Sequence, residues 1–553
     1  MRILPYAIAM TWLASTTASL AAPDLVILNA KIFTADQKLP YAQAVAVEKG
    51  SIAFVGSTEG ARKLAGKGTR VIDAGGHLVV PGLIEAHGHA GPYPAGKIVE
   101  LPGLPWPGPT PDQALDAVRR AAVTERGWLL GTIGAAIMAD QRDWRTALDG
   151  VAPDTPVLLR PWWGHGMTVN SRALEVLGIK DSDPDPVGGW YGRTAEGRLN
   201  GRIRERAEIR VIRRLSEAVS PAEAAKIFAA TGAQYARWGV TSFHQMANNL
   251  SLKSTLAALS SATPTIKWSI YAWGLPNSAI DEAWGEFSTA GAASPLVRIA
   301  GSKWMLDATP IERDAHLREA YQGSPGNKGR PNYTPEEVRQ ILRGALKERR
   351  QLALHVSGDG EMARLFGLME EVAPAATWRH QRVRIEHGDG LTPDLLPMAK
   401  RLGVILVENP LHVAPSRDET GGEMMVTRLG EKRARDFQLL KSVVTSGVPL
   451  ALGSDAGGEV ANPFLNIMLA VRYDRNPAEA LTREQALIAY TSGAAYAEQA
   501  EKRKGAIAVG KAADLAVLSQ DILTAPLERL PATRSLLTLV DGRAVHEDSA
   551  LRN

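Results

Sequence analysis

Residues 77–89 read His-Leu-Val-Val-Pro-Gly-Leu-Ile-Glu-Ala-His-Gly-His, an apolar run that ends in two histidines one residue apart. Side chains alternate between the two faces of a strand, so His87 and His89 share a face and can converge on one cation. Neutral imidazole is the commonest protein ligand for metals. Taken alone, the pair fits a buried structural pair as well as a metal site, and the rest of the chain has to decide.

Seven more short apolar runs follow, and segments of helical pattern lie between them. The eight runs are Leu83 to His89, Val240 to Gln245, Ile266 to Trp273, Val297 to Met305, Leu352 to Val356, Val383 to His387, Val404 to Glu408 and Pro449 to Asp455. Strands that alternate with helices are typical of a parallel sheet with helices around it. The pattern predicts an α/β fold, a (β/α)8 TIM barrel over residues 81–504.

Four polar residues stand near the ends of later runs: Lys303, His355, His387 and Asp455. Barrels of this kind keep their chemistry at the carboxyl ends of the strands, where these side chains would meet those of the first run. Other interpretations stay open for single residues: Lys303 as a surface lysine, Asp455 as a helix cap, and each histidine as a packed core residue. The ordered series favours one shared site.

The segments outside the predicted barrel have a different sequence pattern. Short strands and turns fill residues 22–80 and return in residues 505–553, which predicts one composite β-sandwich built from both chain ends. The interval of about residues 91–238 is far longer than an ordinary connection between a strand and a helix. It predicts a cap inserted after the first barrel strand, over the barrel mouth.

Residues 1–21 have the pattern of a signal peptide: Arg2, an apolar stretch from Ile3 to Leu13, and the small-residue end Ser19-Leu-Ala21. We expect cleavage after Ala21 and export to the periplasm or the medium; a membrane anchor or a buried first strand are the alternatives. No later stretch has 18 uninterrupted apolar residues, so no membrane partner is expected after the leader is removed.

The composition narrows the chemistry further. Cysteine is absent, which excludes disulfides and thiolate ligands and leaves a metal site to histidine, carboxylate and lysine. The formal charge is only +4, and no nucleic-acid partner is expected. The most basic segment, Arg202 to Arg214, also contains acidic and apolar residues, and its pattern favours a solvated helix face over a nucleic-acid site.

The sequence resembles the amidohydrolase superfamily, and within it the amidohydrolase family 3 branch that includes N-substituted formamide deformylases. The stretches that carry the resemblance run in the expected order along nearly the whole chain. They are Asn29-Ala-Lys-Ile-Phe-Thr, Val80-Pro-Gly-Leu-Ile-Glu-Ala-His-Gly-His, Gly164-His-Gly-Met-Thr-Val-Asn-Ser-Arg-Ala-Leu, Ala353-Leu-His-Val-Ser-Gly-Asp-Gly, Arg384-Ile-Glu-His, Asn409-Pro-Leu-His, Leu452-Gly-Ser-Asp and Gly510-Lys-Ala-Ala-Asp-Leu.

The resemblance implies a set of six metal ligands. His87 and His89 would bind one divalent ion, His355 and His387 a second, and a carboxylated Lys303 would bridge the two ions; Asp455 completes the set. Zinc is expected, with one or two ions per chain, and the second depends on carboxylation of Lys303. Two positions depart from the family pattern: Glu85 replaces the usual aspartate, and Asp307 is followed by Ala308 instead of glycine.

This ligand set predicts an exported metal-dependent hydrolase that cleaves a C–N bond of a small amide-like substrate. A bound divalent ion lowers the pKa of water towards 7 and supplies hydroxide. Asp455 would accept the proton of the water and return it to the leaving nitrogen as general acid/base. His165 and His412 match family positions that face substrate, and either could polarise the carbonyl oxygen, whereas His244 reads as a packed polar neighbour.

Two other functions stay open. A mononuclear deaminase of this superfamily would usually carry a glutamate three residues after the fifth-strand histidine; that position is Gly358, and the nearest candidate is Glu361. A metal-less relative could bind ligand without turnover, although all six ligand positions are present. A homo-oligomer is possible.

Overall fold

The computed structural model describes residues 22–104, 108–275, 279–280, 282, 284 and 294–551. The proposed signal peptide, residues 1–21, lies outside these residues. Eight strands pair side by side in chain order, all parallel, and confirm the predicted barrel. They are β1 (Leu83–Gly88), β2 (Val240–Ala247), β3 (Lys267–Trp273), β4 (Val297–Met305), β5 (Gln351–Val356), β6 (Arg384–His387), β7 (Ile405–Glu408) and β8 (Leu450–Leu452).

The barrel is closed where β8 meets β1. The backbone N–H of Asp455 donates to the carbonyl of His87 at 2.9 Å. The buried carboxylate of Glu85 accepts from the N–H groups of Ser454 at 2.7 Å and His87 at 3.1 Å. Glu85 is the residue that departs from the family pattern, and it fastens the first strand to the last just below the two histidines.

Helices flank the strands and bury their apolar faces against them, as the alternation predicts. Thr334 and Thr482 begin two of these helices with capping boxes, the latter as its sequence indicates. The main helices of the barrel are Pro221–Arg237, Leu252–Ala262, Pro335–Lys347, Asp359–Val372, Ala375–Gln381, Leu396–Leu402, Lys441–Ser446, Pro463–Arg472, Arg483–Ile488 and Ala494–Ala497. None of the helices in the described ranges is both long and apolar enough to cross a bilayer.

Two sheets outside the barrel share one apolar core: the first is built from the N-terminal segment alone, and the second from strands of both chain ends. The four-stranded sheet has the order Ser51–Gly56, Ala44–Glu48, Leu25–Leu28, Arg70–Asp73. The six-stranded sheet has the order Arg543–Glu547, Ser535–Val540, Leu515–Leu518, Leu78–Pro81, Lys31–Phe33, Tyr41–Ala42. Ile27 and Val45 of the first sheet pack with Val79, Leu515 and Leu537 of the second. Because Leu78–Pro81 leads directly into β1, these sheets position the start of the barrel.

The long interval between β1 and β2 forms a sheet with helices around it. Its strands have the order Gly189–Arg193, Leu199–Glu205, Met167–Val169, Val157–Pro161, Leu129–Ile133, Lys97–Val99. Its helices are Pro111–Ala122, Ala135–Ala139, Trp144–Asp149, Ser171–Leu177 and Arg206–Ser216. We call this segment the cap.

The basic segment of the cap corrects the prediction of a solvated helix face. Arg202 lies on a strand, and Arg202, Arg206 and Arg213 are buried. The guanidinium of Arg213 donates to the carbonyls of Ala247, Asn248 and Trp273 at 3.1 Å each, at the ends of β2 and β3. Arg213 thus bonds the cap to the barrel, whereas Arg202 donates to the carbonyls of Ile137 and Asp140 within the cap. A charge pattern alone does not distinguish a solvated guanidinium from a buried one that is hydrogen-bonded.

Barrel closure predicts a difference between two nearby glycines. A Cβ at Gly453 would lie 2.4 Å from the backbone nitrogen of His87 and 2.6 Å from Glu85 Oε1. A Cβ at Gly457 would meet nothing within 4 Å. We expect Gly453→Ala to destabilise the metal-free protein by about 1–3 kcal/mol, because overpacking forces these groups apart. The thermal unfolding midpoint measures this effect. Gly457→Ala is the matched control, and equal midpoints for the two variants would contradict the closure described here.

Candidate functional site

The two histidines after β1 are held so that one nitrogen of each faces Asp455. His87 is fully buried; its Nδ1 lies 2.5 Å from Glu386 Oε2 and its Nε2 lies 3.6 Å from Asp455 Oδ1. His89 Nδ1 donates to the carbonyl of Met246 at 3.0 Å, which leaves its Nε2 3.2 Å from the same Asp455 oxygen. The nitrogens predicted to bind a metal therefore converge.

The histidines that end β5 and β6 reach the same place. The ring of His387 lies 4.8 Å from that of His87 and 4.6 Å from that of His355, measured between centroids. His387 Nδ1 faces Asn409 Oδ1 at 2.8 Å, so its Nε2 is left for a ligand. Burial lowers the pKa values of His87, His355 and His387, which keeps the imidazoles in the neutral form that binds metals.

Lys303 lies on β4 and is buried, with its Nζ 5.8 Å from the ring centroid of Trp273. Burial lowers the pKa of its ammonium to about 8. Within the described part of the chain no carboxylate lies within 4 Å of its Nζ. A buried amine that loses its proton this readily has the chemistry needed to react with carbon dioxide.

Asp455 is at the centre of the site. Its φ is 50°, a conformation that is uncommon outside glycine, and it aims the carboxylate back over the barrel mouth. The second carboxylate oxygen, Oδ2, lies 3.9 Å from His387 Nδ1 and 3.8 Å from His412 Nε2. Burial alone would raise the pKa of Asp455, but the nitrogens of His87 and His89 lower it below its usual value, so the carboxylate stays ionised.

The donor set fits a divalent cation. Two groups each bring three ligand atoms within 4.8 Å of one another: His87, His89 and Asp455, and His387, His412 and Asp455. His87 Nε2 is buried in the site without a hydrogen-bond partner. A buried nitrogen of this kind costs free energy unless a ligand satisfies it. Imidazole and carboxylate ligands suit zinc and several other divalent metals.

The remaining predicted histidines lie at different depths. His412 has 33% of its side chain exposed, and its ring stacks on that of His387 at 5.1 Å. His165 comes from the cap, with its ring 4.9 Å from that of His355 and its Nδ1 3.2 Å from Glu205 Oε1. His244 lies in the barrel interior, where it accepts from Arg384 at 3.0 Å and faces Glu498. The first two border the site and His244 does not.

Glu386 is a functional residue that the sequence analysis missed. Strand alternation places Glu386 and His387 on opposite faces, yet both reach the site because His387 has a φ of 66°. Arg384 holds the Glu386 carboxylate with two hydrogen bonds of 2.8 and 3.0 Å. The sequence does contain one indication of this role: Arg384 and Glu386 are two residues apart on a predicted buried strand and so share a face. Buried charges are rare unless they are paired, so such a pair indicates an interior ion pair.

The loop after β4 departs from the family pattern around Asp307. Its carboxylate accepts from the N–H groups of Ser357, Gly358 and His316 at 2.9, 2.8 and 3.0 Å and orders the loop after β5. Glu361 forms an ion pair with Arg364 and faces His316 at 3.1 Å. Both oxygens of the residue considered as a deaminase proton shuttle are therefore occupied.

Glu386 orients His87, which predicts an effect on metal affinity. We expect Glu386→Gln to weaken binding of Zn²⁺ by about 10–100-fold, as is typical when the partner of a ligating histidine is changed. Competition with a chromophoric chelator measures the affinity. Glu408→Gln is the matched control: Glu408 is buried on β7, and burial raises the pKa of its carboxyl, so the amide is a close substitute. Unchanged affinity in Glu386→Gln would contradict this role.

Comparisons with known proteins agree with the fold. The amidohydrolase family model matches residues 70–546. Protein LONG AFTER FAR-RED 3 of Arabidopsis thaliana is 29% identical, over 91% of this chain and 89% of its own. N-substituted formamide deformylase of Arthrobacter pascens is 27% identical, over 94% and 97%. The crystal structure of an uncharacterized metal-dependent hydrolase from Pyrococcus horikoshii OT3 superposes with a TM-score of 0.68 at 21% identity, covering 91% of this chain and 99% of that one. The chain therefore belongs to the amidohydrolase family, in its family 3 branch.

Proposed function

We propose that this protein hydrolyses the C–N bond of a small amide-like substrate, with Asp455 as general acid/base. The observation that carries the proposal is the position of the Asp455 carboxylate, whose oxygens lie 3.2–3.9 Å from nitrogens of His87, His89, His387 and His412. One ionised carboxylate therefore faces four of the histidines at the barrel mouth. This arrangement suits a group that both completes a metal site and moves a proton.

The six residues proposed to hold metal are His87, His89, Lys303, His355, His387 and Asp455. A divalent cation bound there lowers the pKa of water towards 7 and polarises a carbonyl. Asp455 accepts the proton of the attacking water, because its pKa lies below its usual value and it is ionised at neutral pH. It then returns that proton to the leaving nitrogen.

His412 and His165 are proposed to face the substrate from opposite elements. His412 follows β7, and His165 belongs to the cap. The side chain of His412 is the more exposed of the two. A hydrogen-bond donor aimed at the oxygen of a carbonyl stabilises the charge that develops there during attack. The two histidines are therefore assigned to polarisation of the carbonyl, and Asp455 alone to proton transfer.

A panel of four amide probes tests which class of bond the enzyme cleaves. Zinc-loaded enzyme is expected to release amine from at least one of four probes: N-benzylformamide, N-acetylglycine, glycylglycine and a lactam. Removing the metal with a chelator should abolish the release, and adding Zn²⁺ should restore it. Activity confined to ester probes, or activity untouched by complete demetallation, would contradict the proposal. Release of ammonia from adenosine or cytosine instead would indicate a deaminase.

Asp455→Asn tests the proton transfer. The amide keeps the size of the side chain but cannot accept the proton of water, so we expect kcat to fall by about 10²–10⁴-fold. Asp394→Asn is the control, because Asp394 is an exposed carboxylate paired with Arg318. The two variants are compared by kcat on the best probe of the panel. A kcat for Asp455→Asn within a few-fold of wild type would refute the assignment.

We further propose that Lys303 is carboxylated and bridges two zinc ions. The buried amine and its lowered pKa support this. Lys303→Ala is then expected to lose one of two ions in metal analysis together with most of the activity. The intact mass of wild-type protein under native conditions should exceed the mass calculated for the processed chain with its bound zinc by one carbon dioxide. A Lys303→Ala variant that keeps both the metal stoichiometry and the activity would exclude the carbamate.

Export is proposed from Arg2, the apolar stretch that follows it, and Ala21. When the full chain is expressed in a Gram-negative host, we expect the periplasmic fraction to contain protein whose first residue is Ala22, as read by N-terminal sequencing. Full-length protein that stays in the cytoplasm would contradict this. The proposed partner is a small amide-like substrate. Light scattering on the same preparation measures whether the protein forms a homo-oligomer.

A further inference from the structure

Glu205 has an unusual backbone for a buried residue. It ends the cap strand Leu199–Glu205 with φ 57° and ψ −127°, and only 1% of it is exposed. A residue other than glycine in such a sparsely populated region is strained and persists only where its surroundings enforce it. Strain of this kind clusters at functional sites. The contacts of the Glu205 side chain are therefore expected to explain its backbone conformation.

The carboxylate of Glu205 bonds two elements that come from different parts of the chain. Its Oε1 lies 3.2 Å from His165 Nδ1, and its Oε2 accepts from Asn332 Nδ2 at 3.0 Å. Asn332 in turn donates to the carbonyl of Met305, the last residue of β4, at 3.0 Å. Met305 is two residues beyond Lys303. One carboxylate thus links a cap histidine to the barrel strand that carries the proposed bridging lysine.

The contact also selects which nitrogen of His165 is available. Because Nδ1 is engaged by Glu205, Nε2 is the nitrogen left for a substrate. The ring is confined on its other side by the ring of His355, 4.9 Å away. The carboxylate of Glu205 thus forms the hydrogen bond that fixes the orientation of the ring.

We propose that Glu205 is a positioning residue that orients the imidazole of His165 towards the substrate carbonyl, so that the cap supplies a preassembled pair to the barrel site. This rests on the proposed function, since it deepens the role given there to His165. Asn332 fixes Glu205 to the end of β4, and the pair is in place only when the cap is seated on the barrel. The strained backbone of Glu205 is the cost of delivering the carboxylate to this point.

A cation site is the competing explanation. His165, Glu205 and Glu312 also bring three ligand atoms within 4.8 Å of one another. The Glu312 carboxylate, however, already accepts from Trp163 Nε1 at 2.9 Å, from the Thr309 N–H at 2.7 Å and from the Thr309 hydroxyl at 2.5 Å. Glu205 likewise has a partner on each oxygen. These donors satisfy the carboxylates and favour a hydrogen-bonded pair over a bound ion.

A double-mutant cycle on the metal-loaded enzyme tests the proposal. With the best probe of the panel, Glu205→Ala is expected to lower kcat by about 10–100-fold with KM nearly unchanged, as when a positioning partner is removed. In the background of His165→Gln, the same change is expected to have almost no further effect, because Glu205 acts through the histidine. An equal loss of kcat in both backgrounds would overturn the proposal, since a purely structural role does not depend on His165.

Three controls complete the experiment. Should Glu205→Ala fold poorly, Glu205→Gln takes its place, because it keeps the size of the side chain. We expect the same loss of kcat in this variant. Asp149→Asn removes a cap carboxylate that also accepts two hydrogen bonds, from the N–H and hydroxyl of Ser171, and should leave kcat unchanged. Metal analysis should give the same stoichiometry for wild type and Glu205→Ala; loss of one equivalent of metal would overturn the proposal in favour of a cation site.

Crystal structures keep this test separate from the proposed reaction. In Glu205→Ala the His165 ring is expected to rotate or to adopt two orientations, whereas an unchanged ring would overturn the positioning role. Should wild-type enzyme hydrolyse none of the amide probes, the proposed function fails and the crystal comparison alone decides whether Glu205 orients His165.

Discussion

The ion pair between Arg384 and Glu386 is the contact on which the site depends. Both residues are fully buried on β6, and the Glu386 carboxylate reaches His87 Nδ1 at 2.5 Å. A carboxylate without a partner at this depth would be several kcal/mol less stable, or would become protonated and no longer hold the imidazole. Arg384 supplies that partner through two hydrogen bonds. They thereby fix which nitrogen of His87 faces Asp455.

The same guanidinium extends this order into the barrel interior. Arg384 also donates to the carbonyl of Ala86 at 2.6 Å and to His244 at 3.0 Å, and His244 faces the buried Glu498. Lys504 and Arg298 neutralise Glu498 from the far side. Charged groups satisfied in this way rigidify a core. The ligands at the mouth therefore rest on a polar interior in which Arg384, His244 and Glu498 are linked to one another, as well as on an apolar core.

Much of the fold and part of the site follow from the sequence for identifiable reasons. Strands of a parallel barrel are buried on both faces, so each of the eight appears as an apolar run, and all eight were found. His87, His89, His355, His387 and Asp455 stand at the ends of such runs, which the barrel brings together. Glu386, Asn409 and Glu205 escaped notice. Each acts through a positive φ or a contact distant in sequence, and neither leaves a periodic signal.

The sequence by itself determined the strand order, the residue types at the barrel mouth and the absence of thiolate ligands, because these depend on local patterns and composition. Only the tertiary structure decided which nitrogen of each histidine is free, that Arg202, Arg206 and Arg213 are buried, and that Glu205 meets His165. The reason is physical. A hydrogen bond between residues far apart in the chain depends on packing that brings them within about 3 Å, and no nearest-neighbour pattern in the chain encodes that distance.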